Sequence, residues 1–131
     1  NSILKQFIKH LTVGDNEVAL LDMEAGVEHF GRGVDNSVDL ILMIVDPSFE
    51  SLKLTKKIQQ LGESIGKPVF FVLNKVNELV LPTMLESIDD QSKVLAVIST
   101  DTEIARKGLV GDELMMEIPE IHMLARKILK Q

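Results

Sequence analysis

The 131 residues contain no cysteine, no tryptophan and no tyrosine. Without cysteine there is no disulfide and no thiolate metal site, a composition that fits a reducing compartment. No apolar run approaches the ~20 residues of a membrane-spanning helix. The longest strongly apolar stretch is Leu40 to Val45. The N-terminus carries no signal-peptide pattern. Basic charge is also scarce. The net charge is −6, and the closest basic pairs, Lys56-Lys57, Arg106-Lys107 and Arg126-Lys127, read as helix surface. A nucleic-acid backbone needs a basic face, so neither nucleic acid nor membrane is an expected partner. Repeats and low-complexity segments are absent. So is any G-x-x-x-x-G-K-[ST] phosphate loop. What remains is a chain that is 45% apolar, expected to fold as one cytoplasmic domain over 1–131 with a packed core.

Short apolar runs alternate with amphipathic ones. Ile3, Leu4, Phe7, Ile8 and Leu11 predict a helix over 2–12. Strands are expected at 17–21, 38–45, 69–73 and 94–98. The second is nearly all branched aliphatics, as in a strand covered on both faces. Ser48 can cap the helix after it, and Gly66 suits that helix's left-handed C-terminal residue. Pro82 marks a helix start. Further helical patterns run over 102–107 and about 112–130, where Pro119 fits a first turn or a break. The reading is α/β, a mostly parallel sheet of about four strands with connecting helices. Each strand ends in polar residues: Asp22 and Glu24, Asp46, Asn74 and Lys75, Ser99 and Asp101. Ligands bind at that carboxyl edge in open α/β sheets.

Two strand ends carry motifs. Asp22-Met23-Glu24-Ala25-Gly26 follows Val18–Leu21. An acid there can face the shell of a Mg²⁺ ion, and a glycine lets a backbone N–H approach a phosphate oxygen. A helix cap or turn former accounts for the same residues. Glu24 can orient water, contact a partner or be a solvated charge. Asn74-Lys75-Val76-Asn77 resembles the base-reading Asn-Lys-x-Asp of GTPases, with Asn77 in place of the acid. A neutral amide cannot accept both guanine protons, whereas Asn74 can donate to adenine N7 and accept from its 6-amino group. A turn asparagine is the plainer alternative. His29 near Asp22 and Glu24 is better read as a surface residue than as a metal ligand. His10 and His122 have no ligand partners at useful spacing, and no G-x-S-x-G elbow supports a serine hydrolase. The six methionines read as core filling.

Val18 to Gly33, V-A-L-L-D-M-E-A-G-V-E-H-F-G-R-G, resembles the switch region of the CooC-type ATPases. These are nickel-insertion accessory proteins of carbon monoxide dehydrogenase, within the MinD and nitrogenase iron-protein group of deviant P-loop ATPases. V-D-L-I-L-M-I-V-D-P-S, F-V-L-N-K-V and I-S-T-D follow in the family's order, so the resemblance covers nearly the whole chain but only the latter part of a family member. It implies a partial P-loop NTPase domain without its Walker A strand, and ATP or ADP with Mg²⁺ as cofactors of the intact protein. Asp22, through water on Mg²⁺, and Glu24 would be catalytic. Gly26 would sense the γ-phosphate, Asn74 would contact adenine, and Ser99 and Asp101 would line the base or ribose pocket. Ser99 departs from the proline common in the wider group. The family's Cys-x-Cys metal pair is absent.

Three functions compete: the C-terminal part of a metallocentre-assembly ATPase, a non-catalytic interaction or dimerisation module of NTPase fold, and an ATPase half completed by a separate chain. Alone, the chain is expected to bind MgATP weakly or not at all. Its partner would be a second copy or a missing N-terminal half and, by resemblance, carbon monoxide dehydrogenase. With the Walker A strand gone, strand 17–21 is expected to pair directly with 38–45. The connecting helices should then share one sheet face, leaving only the last helix to cover the other.

Overall fold

The computed structural model describes residues 6, 7, 10–23 and 38–131. Three strands, β1 (Ile41–Val45), β2 (Val69–Val76) and β3 (Val94–Ser99), form one parallel sheet in the order β1-β2-β3. Helix α1 (Phe49–Ile65) joins β1 to β2. Helix α2 (Leu81–Glu86) and a 3₁₀ turn at Gln91–Lys93 lead into β3, and α3 (Thr102–Val110) and α4 (Pro119–Ile128) follow. The α/β reading of the sequence is what the chain adopts.

Local chemistry sets the boundaries. The Ser48 hydroxyl accepts from the Ser51 N–H at 3.2 Å, capping α1. Gly66 ends it at φ 66°, and the Lys67 N–H donates back to the Gly62 carbonyl at 2.9 Å. Gly62 itself has a packing reason. A Cβ there would overlap Val69 Cγ2 and lie 2.9 Å from the Lys67 carbonyl oxygen, so α1 can lie close to β2 only without one.

The two sheet faces are covered differently. Ile41, Met43 and Val45 of β1 and Val69, Phe71 and Leu73 of β2 pack with Ile58 of α1 and Met84 of α2. Thr55 is fully buried there; its hydroxyl lies 2.7 Å from the Leu52 carbonyl and 2.8 Å from the Ser87 carbonyl, and its single proton serves one at a time. On the other face Phe70, Val72 and Leu95 pack against Leu124 of α4. The expected division, with connecting helices on one face and the last helix on the other, is present.

Three expectations need correction. Residues 17–21 are not a strand: they are mostly exposed, with Leu20 85% accessible, and no described strand lies beside them. The expected pairing with β1 does not form, so the sheet has three described strands. A strand is held by its hydrogen-bonded ladder, and apolar side chains without a partner backbone do not make one. The last helix spans 119–128 instead of 112–130, because Gly111 at φ 72° closes α3 and Pro119 fits only a first turn. The third strand runs three residues past its expected end, through Asn74 and Lys75 to Val76.

Candidate functional site

The polar ends of β1 and β2 meet at the carboxyl edge of the sheet. Val45 is opposite Leu73, so the parallel register brings the next residues, Asp46 and Asn74, side by side. Asp46 is held by its backbone: its N–H donates to Ser51 Oγ at 3.1 Å, and its carbonyl accepts from the Ser48 N–H at 2.8 Å. Its carboxylate takes two donors. Oδ1 accepts from Asn74 Nδ2 at 2.9 Å, and Oδ2 accepts from Lys75 Nζ at 2.5 Å. Asn74 is half-buried, whereas the Lys75 and Asp46 side chains are 62% and 39% exposed.

Backbone irregularity produces this grouping. The β2–β3 register shifts between Leu73 and Val76, and Lys75 has φ 55°, a left-handed conformation uncommon outside glycine. The kink re-aims consecutive side chains, so Asn74 and Lys75 both reach one carboxylate where a regular strand would send them to opposite faces.

An ionised carboxylate only accepts, so the amide nitrogen of Asn74 must face Asp46. Its Oδ1 and second N–H then point elsewhere, without a hydrogen-bonding side chain or backbone group among the described residues. An acceptor and a donor on one planar amide are the complement of an adenine edge. Among the described residues no group of three or more His, Asp or Glu is arranged to hold an ion.

Other residues singled out from the sequence have local work. Asn77 Oδ1 accepts from the Leu79 and Val80 N–H groups at 3.0 and 3.1 Å, forming the turn into α2. Asp101 Oδ1 accepts from the Glu103 and Ile104 N–H groups at 2.7 and 3.1 Å, capping α3. Ser99 ends β3 opposite Val76 and is exposed. These two residues share the carboxyl edge with Asn74, one strand further along. Asp22 is exposed and lies outside the sheet. Glu24 and Gly26 lie outside the described residues, as do His29, Gly31, Arg32 and Gly33. Asp46 was legible only as a polar strand end; the clue to its role was that β1 and β2, if adjacent and parallel, end in register.

A parallel α/β sheet with its polar residues gathered at the carboxyl ends of the strands is consistent with part of a P-loop NTPase-like fold. The chain is 46% identical over 120 residues to an uncharacterized ATP-binding protein of Methanocaldococcus jannaschii, covering 92% of this chain and 48% of that protein. It is 30% identical over 118 residues to a second uncharacterized ATP-binding protein of that organism, covering 88% and 46%. It is 31% identical over 112 residues to the carbon monoxide dehydrogenase accessory protein CooC of Rhodospirillum rubrum, covering 85% and 43%. The chain thus spans about half the length of the curated relatives it matches. No family model matches it. Among the described residues no helix is long and apolar enough to cross a membrane.

Proposed function

We propose that this chain supplies the base-reading side of an adenine-nucleotide site in a CooC-like metallocentre-assembly ATPase. The observation that carries the reading is the Asn74 amide, fixed by Asp46 with an acceptor and a donor left over. The relatives named as ATP-binding, and CooC at 31% identity, support the same class. ATP or ADP would be the ligand. Asn74 would read the base, with Ser99 and Asp101 beside it along the edge. Mg²⁺, held through water near Asp22, with Glu24 and Gly26 on the phosphate side, belongs to this proposal on the sequence resemblance alone. Nickel insertion into carbon monoxide dehydrogenase is the activity proposed for the whole protein.

The test is calorimetric titration of the complete gene product with MgATP and MgGTP, together with Asn74→Ala. ATP should bind more tightly than GTP. Loss of the amide should weaken ATP binding by about 1–3 kcal/mol if the contact is bidentate and buried. Equal affinities for ATP and GTP would rule out the base assignment. No binding of either would favour the non-catalytic interaction module.

A two-fold dimer is proposed as well. Ile44 of β1 is 52% exposed on the sheet face away from α1, and no described strand pairs the outer edge of β1. Size exclusion with light scattering at tens of micromolar should find a dimer. A clean monomer that binds no hydrophobic dye would contradict it.

A further inference from the structure

We propose that the end of α3, the loop after it and the start of α4 form a docking surface for a basic amphipathic helix of another protein. The stretch from Gly108 to Met123 exposes Leu109, Val110, Leu114, Met115, Ile121 and Met123, with Leu109 87% and Met115 81% accessible. The reading of the methionines as core filling holds for Met43 and Met84, which are buried, and fails for Met115 and Met123. Backbone contacts fasten the loop in place. Gly111, at φ 72°, closes α3 with its N–H on the Lys107 carbonyl. The Asp112 N–H donates to the same carbonyl at 3.1 Å, and Lys107 Nζ donates to the Glu113 carbonyl at 3.0 Å. Helix α4 buries Leu124 against the sheet and leaves Ile121 and Met123 outside. Apolar side chains gathered in this way mark an interaction site, where single exposed residues would not.

Charge identifies what fits there. The same stretch carries Asp112, Glu113, Glu117 and Glu120 and contains no lysine or arginine. Among the described residues none of these acids forms an ion pair. Lys107, which precedes the stretch, gives its Nζ to a backbone carbonyl and not to a carboxylate. A partner that covers the apolar side chains must therefore bring positive charge, or it leaves acids desolvated and unpaired. Pairing this surface with its own two-fold copy would oppose like charges. An anionic lipid surface would repel it. A basic amphipathic helix meets both demands, with apolar anchors along one face and lysine or arginine beside them. Unbranched, polarizable methionine side chains can repack around such anchors. None of these residues belongs to the strand-end site, so the surface and the nucleotide site stand or fall separately.

The probes are two synthetic amphipathic helices of equal length and apolar face, one of leucine and lysine, the other of leucine and glutamate. Each is titrated into the complete gene product, followed by calorimetry and by the methyl signals of Met115 and Met123. The lysine peptide should bind saturably, shift both methyls and weaken with added salt; the glutamate peptide should leave them in place. The double variant Leu109→Ser with Met115→Ser should weaken the lysine peptide by roughly tenfold, the scale of one interface hot spot. Glu113→Lys with Glu117→Lys should weaken it comparably and admit the glutamate peptide. All four positions are exposed, and a thermal melt of each variant checks that the fold is kept. Lysine-peptide binding that is unchanged in both variants, or that leaves the two methyls unmoved, would reduce the attraction to the net charge and overturn the proposal. So would Met115 and Met123 methyls that a soluble paramagnetic agent cannot reach in the free protein, since the rest of the gene product would then cover the surface. Methyl signals that move on dilution of the free protein would assign the surface to a second copy and overturn it as well.

Discussion

The two faces of the sheet are built to different standards. On one face two helices seal β1 and β2, and Phe71, Leu73, Met84 and Val45 lose essentially all contact with solvent. On the other, among the described residues, a single ten-residue helix lies chiefly over β3, held by Leu124 and by Lys127 Nζ donating to the Leu95 carbonyl at 2.5 Å. Ile44 on the same strand as Val45 is half exposed, whereas Val45 is wholly buried. The strand composition is equally apolar on both sides, so the difference lies in what the described residues place over each face. Stability in the described structure is therefore concentrated on the α1–α2 side, and the thinner side is where further surface remains to be covered.

Core truncations should expose the contrast most strongly. Phe71→Ala should destabilise by about 3–5 kcal/mol, since the side chain is fully buried and its cavity is walled by two helices. Leu124→Ala should cost nearer ~2 kcal/mol, at the low end for a buried leucine, because α4 can shift over a thin layer. Denaturant melts of both variants measure the gap, and equal losses would break the comparison. Thr55→Val comes next. It should cost about 1–3 kcal/mol by stranding the Ser87 carbonyl in a buried site, despite keeping the shape of the side chain. On the thinner face, Lys127→Met should cost about 1 kcal/mol and speed hydrogen exchange in β3 more than in β1.

The smallest effect is one of pH. Asp90, at the amino end of β3, is held below the ordinary aspartate value of 3.8, first by the Ser92 hydroxyl and then by the Ser92 backbone N–H. A depressed value in the folded state means that its contribution is present above pH 3.8 and is lost as pH falls through the lower folded value. The 3₁₀ turn should therefore loosen only below pH 3.8. In Ser92→Ala the Asp90 carboxyl, followed by NMR titration, should move back up. No movement would remove the hydroxyl as the cause.

Much of the fold was legible in the sequence because its signals are local. The aliphatic runs at β1, β2 and β3, the Ser48 cap, the Gly66 terminus and the prolines at 82 and 119 each act through their own backbone or nearest neighbours. The segment 17–21 misled because a strand's existence depends on a partner that no local pattern reports. The site was harder to read for a chemical reason. Asp, Asn and Ser are the residues that cap helices and turns as well as those that hold ligands. Asn77 forms a turn and Asp101 a helix cap, while Asp46, which looked like a strand terminator, organises Asn74 and Lys75. Only the register between β1 and β2 separates these uses, and register is a tertiary fact.

Adenine recognition by Asn74 is tested most directly by the side-chain amide of Asn74 in a ¹⁵N–¹H spectrum of the complete gene product, recorded while MgATP and then MgGTP are added. The expected result is a saturable shift of that amide with ATP and a smaller or absent one with GTP. An Asn74 amide that stays fixed while ATP binds elsewhere in the protein would contradict the assignment of this strand end as the base-reading site.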